Sequence, residues 1–122
     1  MDNFFQKKNI NSASLCLCGE KNNMNFEEYQ SEASQTALYP RRMENLEYPT
    51  LGLAGEAGEV ANIVKKIQRD HGGVINEDIR TKLKDELGDV LWYISACADE
   101  LGLTLEQIAE FNVQKLAMRH NR

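Results

Sequence analysis

The chain contains no apolar run approaching the roughly 18 to 20 residues that cross a bilayer, which excludes a spanning helix and makes a soluble protein the expectation. Nor does it contain a cluster of basic residues. Its 14 Lys and Arg are scattered among 19 Asp and Glu, giving a net charge of -5. That excludes the broad basic face needed to grip a nucleic-acid polymer. Cysteine is scarce: Cys16 and Cys18 stand two apart and Cys97 is remote, so there is no disulfide framework and a reducing, cytoplasmic compartment is expected. One C-x-C without a second ligand pair is also a weak soft-metal signal. The stretch Ser12 to Cys18 behind Lys7 and Lys8 is too short and too polar for a signal-peptide core. Segments alternating between apolar and polar, internal repeats and low-complexity tracts are missing as well, which argues against a sheet or a solenoid.

What is present is a single domain's worth of helix-forming sequence: 122 residues, 42% apolar and 27% charged. Residues 1–23 carry Asn, Ser, Lys and Gly without helical periodicity, and they read as a disordered extension before Met24, which looks like a natural start. Residues 24–122 read as the folded domain. Asn25 followed by Glu28 predicts a capped helix to about Leu38, ended by Tyr39-Pro40. After a connector with Arg41, Arg42 and Pro49, a second helix is predicted over Thr50 to Asp70. Its apolar stripe is Leu53, Ala57, Val60, Val64 and Ile67. Gly72 and Gly73 break that helix. Asn76 caps a third, reaching about Glu100, with Ile79, Leu83, Leu87, Val90 and Ile94 on its stripe and Gly102 at its end. Thr104 with Gln107 opens a fourth toward Arg119, with Leu105, Ile108, Ala109 and Leu116 expected inward. The fold class is therefore all-α, an antiparallel bundle of about four helices.

Two pairs of carboxylates are the informative feature. Glu56 and Glu59 on the second helix, and Glu86 and Asp89 on the third, each have i, i+3 spacing. At about 100° per residue, each pair lies on the same side of its helix's apolar stripe. A short glycine-containing turn makes the two helices antiparallel neighbours, and both pairs fall at similar distances from it, so the four groups should converge. Two unit charges about 5 Å apart repel by roughly 3 kcal/mol at an effective dielectric near 20. Hard oxygen ligands of this kind select Mg²⁺, Mn²⁺ or Ca²⁺, and Mg²⁺ is the usual companion of phosphates. The bland alternative is a solvated acidic face, the commoner meaning of either pair alone. Gly55 and Gly58, each directly before one of the two glutamates, cost on the order of 1 kcal/mol each in a helix and suggest close packing or room for a ligand.

Around these acids, Tyr93 stands one turn beyond Asp89, where it either touches a bound phosphate or sugar or simply packs at a helix interface. Trp92 projects away from the Leu83 stripe and is expected to pack. On the fourth helix Asn112, Lys115 and Arg119 could reach phosphate oxygens, or serve as ordinary surface polarity. Lys65 and Lys66 are open to the same two readings, with solvated lysines the commoner outcome.

The pattern Leu53-x-x-Glu56-x-x-Glu59, a gap of 26 residues, then Glu86-Leu87-Gly88-Asp89 followed by Tyr93 resembles the MazG-like all-α nucleoside triphosphate pyrophosphohydrolases from about Met24 to Arg119. The resemblance implies that Glu56, Glu59, Glu86 and Asp89 ligate Mg²⁺, with Mn²⁺ as a substitute. It implies cleavage of a nucleoside triphosphate to monophosphate and pyrophosphate, with Glu59 orienting the attacking water. Tyr93, Asn112 and Lys115, and less firmly Arg119, match positions that approach the phosphates or sugar. Tyr29, Gln30 and Ser34 lie in the region that faces the nucleoside. Dimerisation completes the bundle in such proteins, as a homodimer or a dimer of dimers. The alternatives are a related phosphoanhydride hydrolase, such as one for phosphoribosyl-ATP, and a non-catalytic helical interaction module. A di-iron bundle would need Glu-x-x-His pairs, which His71 and His120 do not supply.

Overall fold

A computed structural model describes residues 23–121, and the chain there is all-α. The extension assigned to residues 1–23 and the Cys16–Cys18 pair lie outside the described residues, Asn23 apart. Four helices follow in order: α1 (Phe26–Gln35), α2 (Glu47–Asp70), α3 (Glu77–Glu100) and α4 (Leu105–His120). Among the described residues no helix is long and apolar enough to cross a membrane.

The predicted caps form. Asn25 accepts from the Glu28 N–H at 2.8 Å, and Asn76 from the Ile79 N–H at 2.9 Å. Thr104 and Gln107 make a reciprocal capping box at the start of α4. The end of α3 is a Schellman turn: Gly102 takes φ 65, its N–H donates to the Asp99 carbonyl, and the Leu103 N–H donates to the Ala98 carbonyl. Two boundaries differ from expectation. The first helix stops at Gln35 rather than near Leu38, because the Thr36 hydroxyl folds back onto the Ala33 carbonyl. The second begins at Glu47 rather than Thr50, since Pro49 occupies the first turn, where its missing N–H has no helical partner to lose. The Asn45 side chain accepts from the Tyr48 N–H there.

The most extensive pairing is the antiparallel α2–α3 hairpin. Across the C-terminal half of α3 lies α1, and the buried cluster Ala33, Ala37, Tyr39, Trp92, Tyr93 and Ala96 fills the contact. Trp92 packs here, as expected, and its indole N–H donates to the Thr36 hydroxyl at 2.8 Å. The connector of residues 36–46 is latched to the end of α3. Glu100 accepts from the Met43 and Asn45 N–H groups at 2.9 and 3.0 Å and from the Tyr39 hydroxyl. Asp99 accepts from Gln30 and forms an ion pair with Arg42 at 3.1 Å.

Elsewhere among the described residues packing is sparser. The face of α2 that meets α3 runs through Pro49, Leu53, Glu56, Val60, Ile63 and Ile67, rotated by about 40° from the predicted stripe at about 100° per residue. Ala57 and Val64 of that stripe are exposed, and so is Leu87 of α3, at 55%. The expectation for α4 is likewise corrected. Leu105 is buried, but Ile108 and Leu116 are exposed, because only the start of α4 packs on α1. Phe111, Val113 and Met118 are exposed too.

Candidate metal centre

Rotation of α2 moves Glu56 from the edge of the helix seam into it. There it meets Glu86 and Asp89 of α3, and one carboxylate oxygen from each lies within 4.8 Å of the others. All three side chains are half-buried. Among the described residues no Lys, Arg or His forms an ion pair with any of them. Glu59 stands apart from this compact set: it lies one turn along α2, is exposed, and still contributes negative charge at Glu56.

The crowding appears as proton affinity. The Glu56 carboxyl is pushed up to about 7, first by burial, then by the charges of Asp89 and Glu86, by hydrogen bonding to Glu86 and by the charge of Glu59. Asp89 is pushed up to about 6 by burial and by the neighbouring Asp85 and Glu86. Like charges forced together raise each other's affinity for any positive partner, proton or metal ion. The donors are all hard carboxylate oxygens, which fit Mg²⁺ or Mn²⁺ and offer nothing to a soft metal.

Tyr93 stands one turn along α3 from Asp89. It is buried, meets the Trp92 ring edge-on at 4.9 Å, and sits in the field of Glu56 and Asp89. Burial, followed by Tyr48 and those two acids, pushes its hydroxyl up to about 12, so the phenol stays protonated at neutral pH. Tyr29 of α1 also faces this region, its hydroxyl raised by burial and by the charge of Asp89. Gln30 and Ser34 are engaged elsewhere. The Gln30 amide bridges Asp99, the Leu103 carbonyl and the Leu105 N–H, and Ser34 accepts from Arg42. Asn112, Lys115 and Arg119 are all exposed on the unpacked part of α4. Lys115 and Arg119 line an open concavity with Met118 and Asn121. Lys65 donates to Asn62, and Lys66 is exposed.

The profile of the MazG nucleotide pyrophosphohydrolase domain matches residues 45–122, from the connector through both acid-bearing helices to the chain's last residue. The chain belongs to this family. MazG domains are all-α nucleotide pyrophosphohydrolases, and the four helices here and their acidic seam agree with that chemistry. The chain is also similar to the Gene 37 protein of Mycobacterium phage L5, 46% identical over 104 residues that make up 81% of this chain and 91% of that protein. No solved structure matches it.

Two contributors to this MazG site escaped the reading of the sequence. Asp85 was not singled out, although it adds negative charge at Asp89. Gly55 and Gly58 stand out in the sequence, yet a Cβ at either would meet open space, whereas one at Gly52 would clash with the Tyr93 ring. The available signal was register: Gly52 precedes Glu56 by four, just as Asp89 precedes Tyr93 by four.

Proposed function

We propose that the chain hydrolyses nucleoside triphosphates to the monophosphate and pyrophosphate with Mg²⁺, for which Mn²⁺ can substitute. Membership of a nucleotide pyrophosphohydrolase family supports the reaction class. The observation that carries the metal requirement is the convergence of Glu56, Glu86 and Asp89 without a basic partner among the described residues. These three carboxylates, with Glu59 at the rim, would hold the ion. When bound, a divalent cation neutralises the phosphate chain and lowers the pKa of water.

The chain's own groups do the rest. Glu59 is exposed and one turn from Glu56, a position suited to accepting a hydrogen bond from the water that attacks the α-phosphorus. Breaking the α–β anhydride then releases pyrophosphate. The protonated Tyr93 hydroxyl donates to a phosphate or sugar oxygen. Asn112, Lys115 and Arg119 supply phosphate contacts from α4, and their distance from any packed surface of one chain favours delivery by a second copy. Exposed apolar residues on the hairpin and on α4, Leu87 and Phe111 among them, favour the same homodimer or dimer of dimers. We place the protein in the cytoplasm, with residues 24–122 as the catalytic unit.

Pyrophosphate release from a panel of ribo- and deoxynucleoside triphosphates, with Mg²⁺ and with chelator, tests this reading, alongside Glu59→Ala and Asp89→Ala. Chelator-sensitive release of pyrophosphate and monophosphate, lost in both variants, is expected. Full activity in either variant would remove that residue from the site. Silence across the panel would overturn nucleoside triphosphates as the substrate class.

A further inference from the structure

Two rungs cross the α2–α3 seam. On one, Glu56 faces Glu86 and Asp89. On the other, one turn away, Gly52 faces Tyr93. Because the helices are antiparallel and both steps are i, i+4, the spacing along each helix keeps the rungs about 6 Å apart. The Tyr93 ring lies so close to the α2 backbone that a Cβ at Gly52 would overlap its Cε1, Cζ and Cδ1 atoms. The ring has little freedom to yield. It is 5% exposed, abuts Trp92 and belongs to the core cluster against which Tyr48 packs. Any side chain at position 52 must therefore drive the phenol out of its place or force the two helices apart.

We propose that Gly52 is a positioning residue whose missing side chain forms the notch that seats Tyr93, and so fixes the phenol hydroxyl beside the acidic cluster as a donor to the bound nucleotide. This rests on the pyrophosphohydrolase reading. Gly52 itself touches no substrate and acts only through the ring. The notch also explains why a residue with poor helix propensity stands inside α2 on the face that meets α3.

The experiment is a double-substitution cycle on the full chain with Gly52→Ala, Tyr93→Ala and both together, and with Tyr93→Phe alone. In each, kcat, KM, melting temperature and the near-ultraviolet circular dichroism of the metal-free protein are measured. Gly52→Ala is expected to lower kcat/KM by about tenfold or more, the scale of a displacement near 1 Å in a reacting complex. In the Tyr93→Ala background, where the notch has nothing to seat, the same substitution should change kcat/KM by less than about twofold. Equal losses in both backgrounds would overturn the proposal, because they would mean that Gly52 acts through helix packing alone. If Gly52→Ala does not fold, Tyr93→Phe decides. It keeps the ring in the notch, so a loss of kcat/KM without a fall in melting temperature supports the donor role, and unchanged kinetics overturns it. Absence of turnover in the wild type would remove the pyrophosphohydrolase reading. The aromatic dichroism would still report the notch, through a change on Gly52→Ala that vanishes when Tyr93 is already gone.

Discussion

Helix α3 carries two acidic pairs about three turns apart, and the chain treats them in opposite ways. Asp99 and Glu100 are saturated by the protein: Gln30 and Arg42 satisfy the first, and Tyr39 with two backbone N–H groups satisfies the second. Glu86 and Asp89 meet another carboxylate, Glu56, instead. The proton affinities of Glu100 and of Asp89 with Glu56 diverge accordingly. Burial alone would raise Glu100, but the hydrogen bonds from Tyr39, Asn45 and Met43 and the charge of Arg42 outweigh it and bring the carboxyl below its ordinary value. Glu56 and Asp89 are raised. Carboxylates that build the fold are supplied with donors from within the chain, whereas those at the seam meet one another.

The sharpest way to break this contrast is to remove one seam carboxylate. Asp89→Asn or Glu56→Gln is expected to lower turnover by about a thousandfold or more while raising the melting temperature of the metal-free protein at neutral pH, because a repulsion disappears. A metal-free variant that melts lower than wild type would contradict that account of the seam. Next in size is the latch. Glu100→Ala strips the acceptor from three hydrogen bonds and should cost about 2 kcal/mol in a denaturant titration, and an unchanged midpoint would show that the connector holds without it.

Acidity sharpens the comparison further. Since Glu56 and Asp89 have folded-state values of about 7 and 6, above their ordinary 4.5 and 3.8, the folded metal-free chain binds protons that the unfolded chain releases. Their contribution to stability is full below about pH 4 and is lost as the pH rises through 6 to 7. Glu100, being lowered, contributes above its ordinary 4.5 and loses that contribution as the pH falls. Melting curves of metal-free wild type and Glu56→Gln across this range should separate the two effects, with the decline between pH 5 and 7.5 shallower in the variant. Smallest of all, Thr104→Ala removes one half of a capping box remote from the acidic seam and should cost about 1 kcal/mol without altering kcat.

Much of this architecture was legible in the sequence because it is local. Caps at Asn25, Asn76 and Thr104 and the Gly102 terminator all act within a few residues, and each is found as read; of the four acids expected to converge, Glu56, Glu86 and Asp89 come together and Glu59 stays outside. The rotation of α2 was not legible. Ala57 and Val64 are as apolar as a seam residue should be, and only contact with α3 reveals that Glu56 and Ile63 took the inner position. The fate of α4 was hidden similarly: its stripe of Leu105, Ile108 and Leu116 is real, but among the described residues little covers it beyond its first turn, and Ile108 and Leu116 are exposed. Gly55 and Gly58 drew attention through the motif, while the sterically required glycine lay one turn earlier, against a residue 41 positions away.

The latch has a further consequence, for the order in which the chain folds. Its hydrogen bonds join residues 55 to 69 positions apart, whereas α2 and α3 are joined by the short turn His71 to Asn76. Loop-closure entropy grows with the length enclosed, so the hairpin has the lower barrier and the latch closes onto it. The acidic seam thus belongs to the part of the molecule that assembles soonest, and its like charges oppose the first long contact the chain makes.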